Sequence, residues 1–219
     1  MSALFADRAE AARALAARLA DEHLPGPLVV LALPRGGVPI GAEIARRLNA
    51  PLDLLLVRKI GAPWQRELAV AAVVDGDHPE VVIDEETSRA TGASAAYIDG
   101  QAQIEWREIE RRRALYLQGR APVPVAGATV IVVDDGIATG TTVRAALKAL
   151  RRRRAAHLVL AVPVAPHDTL MALAREVDRV ICLREPRPFR AIGLHYADFH
   201  QVEDDEVIAA LAAAPPSAE

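Results

Sequence analysis

Short, mostly apolar runs alternating with segments of helical period constrain this chain more than any other feature. Residues 28–33, 52–57, 129–133, 157–162 and 179–183 are brief and nearly continuous in Val, Leu, Ile and Ala, as are parallel strands covered on both faces. Residues 38–48, 141–153 and 167–176 instead space their apolar side chains by three and four, the period of an amphipathic helix. The alternation predicts an α/β fold, a mostly parallel sheet with right-handed crossovers and helices on its faces. Leu4, Ala11, Leu15 and Leu19 predict a further helix over 4–20, and 68–74 reads as a third strand after loop chemistry at Gly61, Ala62 and Pro63.

Two stretches break the rhythm. Residues 84–116 read as one long polar helix or a helical pair, holding Trp106 and the basic run 111–113 and ended by Pro122 and Pro124, so a helical insertion is expected over about 84–126. Residues 186–199 are irregular and aromatic, and predict a small C-terminal cap over about 186–212 followed by a fraying Ala/Pro tail. The 219 residues, 52% hydrophobic, are enough for one domain spanning 1–219.

Charge and cysteine usage narrow the function classes. A net charge of −3 gives no overall basic field for nucleic acid, and the arginine run 151–154 reads as a solvated helix end. Only Lys59 and Lys148 among 26 basic residues are lysines, so a single arginine says little by itself. Cys182 stands alone, which leaves no intrachain disulfide and no zinc cluster. Residues 1–22 carry Asp7, Arg8, Glu10, Arg13 and Arg18, unlike a signal peptide or membrane span, so a cytoplasmic protein with no membrane partner is expected.

The chemistry concentrates at 130–142, VIVVDDGIATGTT. A buried strand delivers Asp134 and Asp135 to its C-terminal end, where open α/β sheets place their ligands. Residues 136–142 are small or hydroxylated and lead into a helix. Amides of such a loop, with a helix N-terminus, can surround a phosphate, and the Thr139, Thr141 and Thr142 hydroxyls add donors. Gly140 lets the backbone come close. Two acids beside a phosphate conflict unless another group lies between them. A ribose resolves this, with its two hydroxyls on the carboxylates and its 5-phosphate in the loop. The plain alternative is that the acids cap the helix and the threonines satisfy its first turn. A receiver domain also ends a strand on paired acids, but near its start; here several strand candidates precede the pair and only about 85 residues follow.

VVDDGIATGTT resembles the 5-phosphoribosyl-1-pyrophosphate (PRPP) signature of type I phosphoribosyltransferases: two acids, two variable residues, then A-T-G-x-T. The resemblance implies that fold, with ribose hydroxyls on Asp134 and Asp135 and the 5-phosphate on Ala138, Thr139, Gly140, Thr141 and Thr142. It also implies Mg²⁺ near Asp134 and Asp135, reached through ribose or water, and a possible homodimer. In this family the loop after the first core strand holds pyrophosphate, often beside an unusual peptide geometry. Arg35, Gly36 and Gly37 in LPRGGVPIG at 33–41 match it; alone, they are an ordinary tight turn, and the absent Gly-Lys-Ser/Thr excludes a P-loop.

Arg58 and Lys59 follow the second strand and are either further pyrophosphate cations or a solvated pair. With Arg35, Asp134 and Asp135, Lys59 completes the expected catalytic set. Residues 60–67 match the place of the family's mobile lid but are short for one, and Trp64 is a lid tip, a base contact or a packing residue. PRPFRAIGLHYADF at 186–199 resembles the C-terminal stretch of purine-type members, where an aromatic stacks on the base. Phe189 and Tyr196 are the candidates, with Asp198 beside them; the alternative is an apolar cap on the sheet. His195 and His200 have no spacing that demands catalysis. Ala138 stands where hypoxanthine and guanine enzymes carry an aspartate, so that general base is missing. The expected function is phosphoribosyl transfer from PRPP to a nucleobase-like nitrogen nucleophile with release of pyrophosphate. The alternative is a non-catalytic PRPP- or nucleotide-binding regulator.

Overall fold

Five of the apolar runs become strands of one parallel sheet. The computed structural model describes residues 3–76 and 78–215. In chain order the elements are α1 (Arg8–Ala20), β1 (Leu28–Ala32), α2 (Gly37–Leu48), β2 (Leu52–Leu54), β3 (Val57–Ala62), β4 (Gln65–Val74), β5 (Glu80–Ile83), α3 (Glu85–Thr91) and α4 (Ala95–Leu117). Then come β6 (Thr129–Val133), α5 (Thr141–Arg152), β7 (His157–Val164), α6 (His167–Leu173), β8 (Arg179–Arg184), a 3₁₀ turn (Ile192–His195) and α7 (Asp204–Ala213).

The parallel sheet runs β2-β1-β6-β7-β8. Every residue of β6 is buried, and side chains alternate between two cores. Val30, Ala32, Ile131 and Val133 pack toward α1 and α2, whereas Val29, Leu31, Val130 and Val132 pack toward α5. Each buried Val, Leu or Ile among them contributes about 1.5–3 kcal/mol over an exposed one, which is why these runs show no polar face. From β1 the chain moves to one edge of the sheet and from β6 to the other, so the topological switch point lies between the C-terminal ends of β1 and β6.

Four expectations change. The strand expected over 52–57 stops at Leu54, and Val57 opens a second, antiparallel sheet, β3-β4-β5. Of the loop chemistry at 61–63, Gly61 and Ala62 end β3 and only Pro63 enters the hairpin turn to β4, with Ala62 facing Gln65. The third strand begins at Gln65 rather than 68, because hairpin pairing extends it through polar residues. The first helix begins at Arg8, where the Asp7 side chain accepts from the Glu10 N–H as N-cap. Leu4 and Phe5 are not helical, since both amides donate to the His195 carbonyl and Phe5 pairs with Tyr196.

The polar stretch is a helical pair, α3 and α4, broken at Gly92 in the left-handed conformation (φ +69°). Two side-chain hydrogen bonds help to fasten it to the hairpin: the Tyr97 hydroxyl donates to the Gly61 carbonyl at 2.9 Å and Trp64 Nε1–H to the Thr91 carbonyl at 3.0 Å. The aromatic tail forms the 3₁₀ turn, and residues 204–213, part of the expected cap and of the expected fraying tail, form α7. The rest of that tail from 216 on lies outside the described residues. Among the described residues no helix is long and apolar enough to cross a membrane.

Candidate functional site

The loops leaving β1 and β6 meet at the switch point. Ala32 pairs with Val133, and the Leu33 amide donates to the Val133 carbonyl at 2.9 Å, carrying the β1–β6 ladder one residue into the loops. The Pro34–Arg35 peptide bond is cis. Gly36 then passes directly over the acid pair: a Cβ there would lie 2.0 Å from Asp135 Oδ2, so only glycine permits the approach. The fold thus joins Arg35, Gly36 and Gly37 to Asp134 and Asp135 across about a hundred residues.

Beyond the acids, the loop is fastened from behind. The Ile137 amide donates to the Val164 carbonyl at 3.0 Å, and Thr169 Oγ1–H on α6 donates to the Ala138 carbonyl at 2.8 Å. Gly140, left-handed at φ +73°, is the N-cap of α5 and packs against Thr169 and Leu173. None of the amides of residues 138–143 finds an acceptor among the described residues. Ala138, Thr139 and Thr141 are exposed, Thr142 is half-buried, and the Thr139 and Thr141 hydroxyl oxygens stand 3.4 Å apart. An open ring of amides at the start of a twelve-residue helix is a ready anion site.

The acids differ from each other. Asp134 is half-buried, and its Oδ1 accepts from the Asp135 amide at 2.8 Å. Loss of hydration, and then the neighbouring Asp135 charge, push its carboxyl well above the usual carboxylate range. Asp135 is buried; desolvation raises it too, but Arg8 opposes the rise. Arg8 Nε–H donates to Asp135 Oδ2 at 2.8 Å. Both carboxyls are thus raised, and only Asp135 has a guanidinium bonded to it to oppose the rise.

A cavity of about 450 Å³ opens beside this centre, lined by Arg8, Arg35, Gly36 and Asp135 on one side and by Ile192, Phe199 and residues 200–202 of the C-terminal segment on the other. Arg35 is half-buried, and its Nη1 lies 3.5 Å from Asp204 Oδ1 and 3.7 Å from Glu203 Oε2 at the start of α7. These are loose contacts that an incoming anion can replace. His200, beside the cavity, has its pKa raised by Glu206 and Asp198. A second cleft, between Thr141 and Arg144 of α5 and the antiparallel sheet, measures about 50 Å³, room for a few waters.

Other expected residues stand elsewhere. Arg58 and Lys59 lie within β3, not in a loop at the end of β2; Arg58 Nε–H donates to Glu105 Oε2 at 2.7 Å, and Lys59 is exposed. Neither lines the cavity with Arg35. Tyr196 is buried beneath the acid pair, its hydroxyl donating to the Asp135 carbonyl at 2.6 Å and its ring stacked on Phe199 at 5.0 Å. Phe189 packs on the His195 ring at 5.0 Å and also lies outside the cavity. The aromatic at the cavity is Phe199, with the Arg8 guanidinium carbon 3.9 Å from its ring centre. Sequence reasoning misses Arg8 and Phe199. The aromatic run 186–199 is the available signal for Phe199, whereas Arg8 has none, being one arginine among many.

The family model for the phosphoribosyl transferase domain matches residues 4–198. The chain belongs to this family. It is 44% identical over 209 residues to "Putative phosphoribosyl transferase Rv0571c" of Mycobacterium tuberculosis H37Rv, over 95% of this chain and 46% of that protein. The chain thus spans about half the length of the curated relatives it matches. The crystal structure of TT1426 from Thermus thermophilus is similar at a TM-score of 0.84 and 39% identity, covering 94% of this chain and 97% of that one. The α/β sheet flanked by helices is therefore a type I phosphoribosyltransferase fold.

Proposed function

We propose that this chain transfers the 5-phosphoribosyl group of PRPP to a nitrogen nucleophile of nucleobase type, with release of pyrophosphate. The observation that carries the reading is the juxtaposition of an open amide ring at 138–143 with paired carboxylates at 134 and 135. The 5-phosphate takes the amides and the threonine hydroxyls. The ribose diol donates to Asp134 and Asp135. Arg35 and the Gly36–Gly37 backbone face the pyrophosphate, and the acceptor enters the cavity beside Phe199. Lys59 joins the pyrophosphate set only by movement of the β3–β4 hairpin; Arg58, held by Glu105, is left out of it.

In the reaction the acceptor nitrogen forms a bond to C1 of the ribose as the C1–oxygen bond to pyrophosphate breaks, its electron pair leaving with the anion. Positive charge develops on the sugar and negative charge on the leaving group. Asp134 and Asp135 lie on the side of the sugar and Arg35 on that of the anion, so groups fixed before reaction stabilise both. The donor set suits Mg²⁺ only as an ion carried on the donor's own oxygens: one of the two carboxylates already serves Arg8, and no three metal-binding side chains converge among the described residues. Bound there, the ion would neutralise pyrophosphate charge. Cytoplasmic location and a homodimer remain part of the proposal on family grounds.

The test is a pyrophosphate-release assay with PRPP, Mg²⁺ and a panel of purine and pyrimidine bases. Turnover with any base supports transfer; PRPP binding without turnover supports a donor-binding regulator; no PRPP binding contradicts the reading.

A further inference from the structure

Arg8 sits where three distant parts of the chain meet. It is 8% exposed, and two of its three guanidinium nitrogens are hydrogen-bonded. Nε–H donates to Asp135 Oδ2 at 2.8 Å, Nη1–H to the His200 carbonyl at 2.7 Å, and the plane covers Phe199. Asp135 is 127 residues away and His200 is 192. The arginine itself is held in place: it opens α1 behind the Asp7 cap, and the preceding residues 4–6 are hydrogen-bonded to 195, 197 and 198. We infer that Arg8 is a positioning residue of the donor site, which fixes the Asp135 carboxylate for the ribose diol and locks the C-terminal wall of the acceptor cavity to it. This rests on the proposed donor site.

Geometry carries the assignment. A buried carboxylate with one oxygen held by a guanidinium cannot rotate freely, so the other oxygen faces the diol in one orientation. The carboxylate occupies the space beside Gly36 that a side chain would fill, since an added Cβ would lie 2.0 Å from Oδ2, so the two loops meet at this one acid. A planar fork holds that acid while also reaching a carbonyl; an ammonium makes the ion pair but not both contacts. A packing role alone does not require that the partner be the acid of the signature segment.

The test compares ligands on the full chain by calorimetry: ribose 5-phosphate, which carries the diol, and inorganic phosphate, which lacks it. Arg8→Gln should weaken ribose 5-phosphate at least tenfold and leave inorganic phosphate within twofold. Arg8→Lys should recover part of the loss, and Arg8→Gln should add nothing when placed on Asp135→Asn. Equal weakening of both ligands would mean simple structural damage and would overturn the inference, as would unchanged ribose 5-phosphate affinity. Should Arg8→Gln not fold, Arg8→Lys carries the test: a severalfold loss confined to ribose 5-phosphate supports the inference, and none contradicts it. Failure of the wild type to bind ribose 5-phosphate sinks the donor site itself, a different outcome from wild-type binding that the variants leave untouched.

Discussion

Asp134 illustrates how this site sets function against stability. Its carboxyl is raised by desolvation and by Asp135, so the folded protein holds that proton more tightly than the unfolded chain does. Stability therefore falls as pH climbs from the ordinary carboxylate range through the folded pKa. Asp134→Asn keeps the acceptor for the Asp135 amide and removes the charge. It should raise the melting temperature at pH 7 by about 2–4 °C, roughly 1 kcal/mol in a protein of this size, and the gain should vanish below about pH 3. Donor affinity should drop in the same variant. Thermal melts across pH check the sign, and a destabilised Asn variant at pH 7 would refute it. Gly36→Ala should cost about 1–3 kcal/mol by overpacking and abolish donor binding, because its methyl and Asp135 Oδ2 need the same space. Glycine at 36 was legible as a loop residue, but its contact with residue 135 was not, since sequence carries no distance between loops.

At the level of elements, legibility followed burial. β1 and β6 are covered on both faces, so their runs announced themselves; the antiparallel sheet did not, because an apolar run has the same look in either direction and β5 has only four residues. Asp53 was hidden for another reason. It is a lone charge within an apolar run, yet it is buried, accepting from the Leu54 and Val123 amides. The start of α7 likewise gave no sign that it would face Arg35. Glu203 and Asp204 occupy the cation assigned to pyrophosphate, so neutralising them should favour the anion. Glu203→Gln with Asp204→Asn keeps an acceptor for the Tyr116 hydroxyl, which donates to Asp204 Oδ1 at 2.6 Å. Pyrophosphate should then bind about three- to tenfold more tightly by calorimetry, roughly 1 kcal/mol for loose, partly solvated pairs; weaker binding would mean that the acids help to hold it.

Across the whole molecule, both ends of the described chain converge on the centre of the site. The Leu4 and Phe5 amides donate to the His195 carbonyl, the Ala197 amide to Phe5 and the Asp198 amide to Ala6, while Tyr196 reaches Asp135. These segments should open together: in hydrogen exchange the amides of 4, 5, 197 and 198 should share one opening free energy, and Tyr196→Phe should lower it for all of them. Independent rates would show that the ends are separately held. The α/β alternation and the signature segment were both readable in the sequence, whereas this closure joins residues nearly two hundred positions apart and leaves no local pattern. Where a ribose phosphate binds decides the function most directly. A crystal structure with PRPP should place the 5-phosphate within about 3 Å of the amides of 138–142 and the diol on Asp134 and Asp135; a phosphate seated elsewhere, with those amides on water, would contradict it.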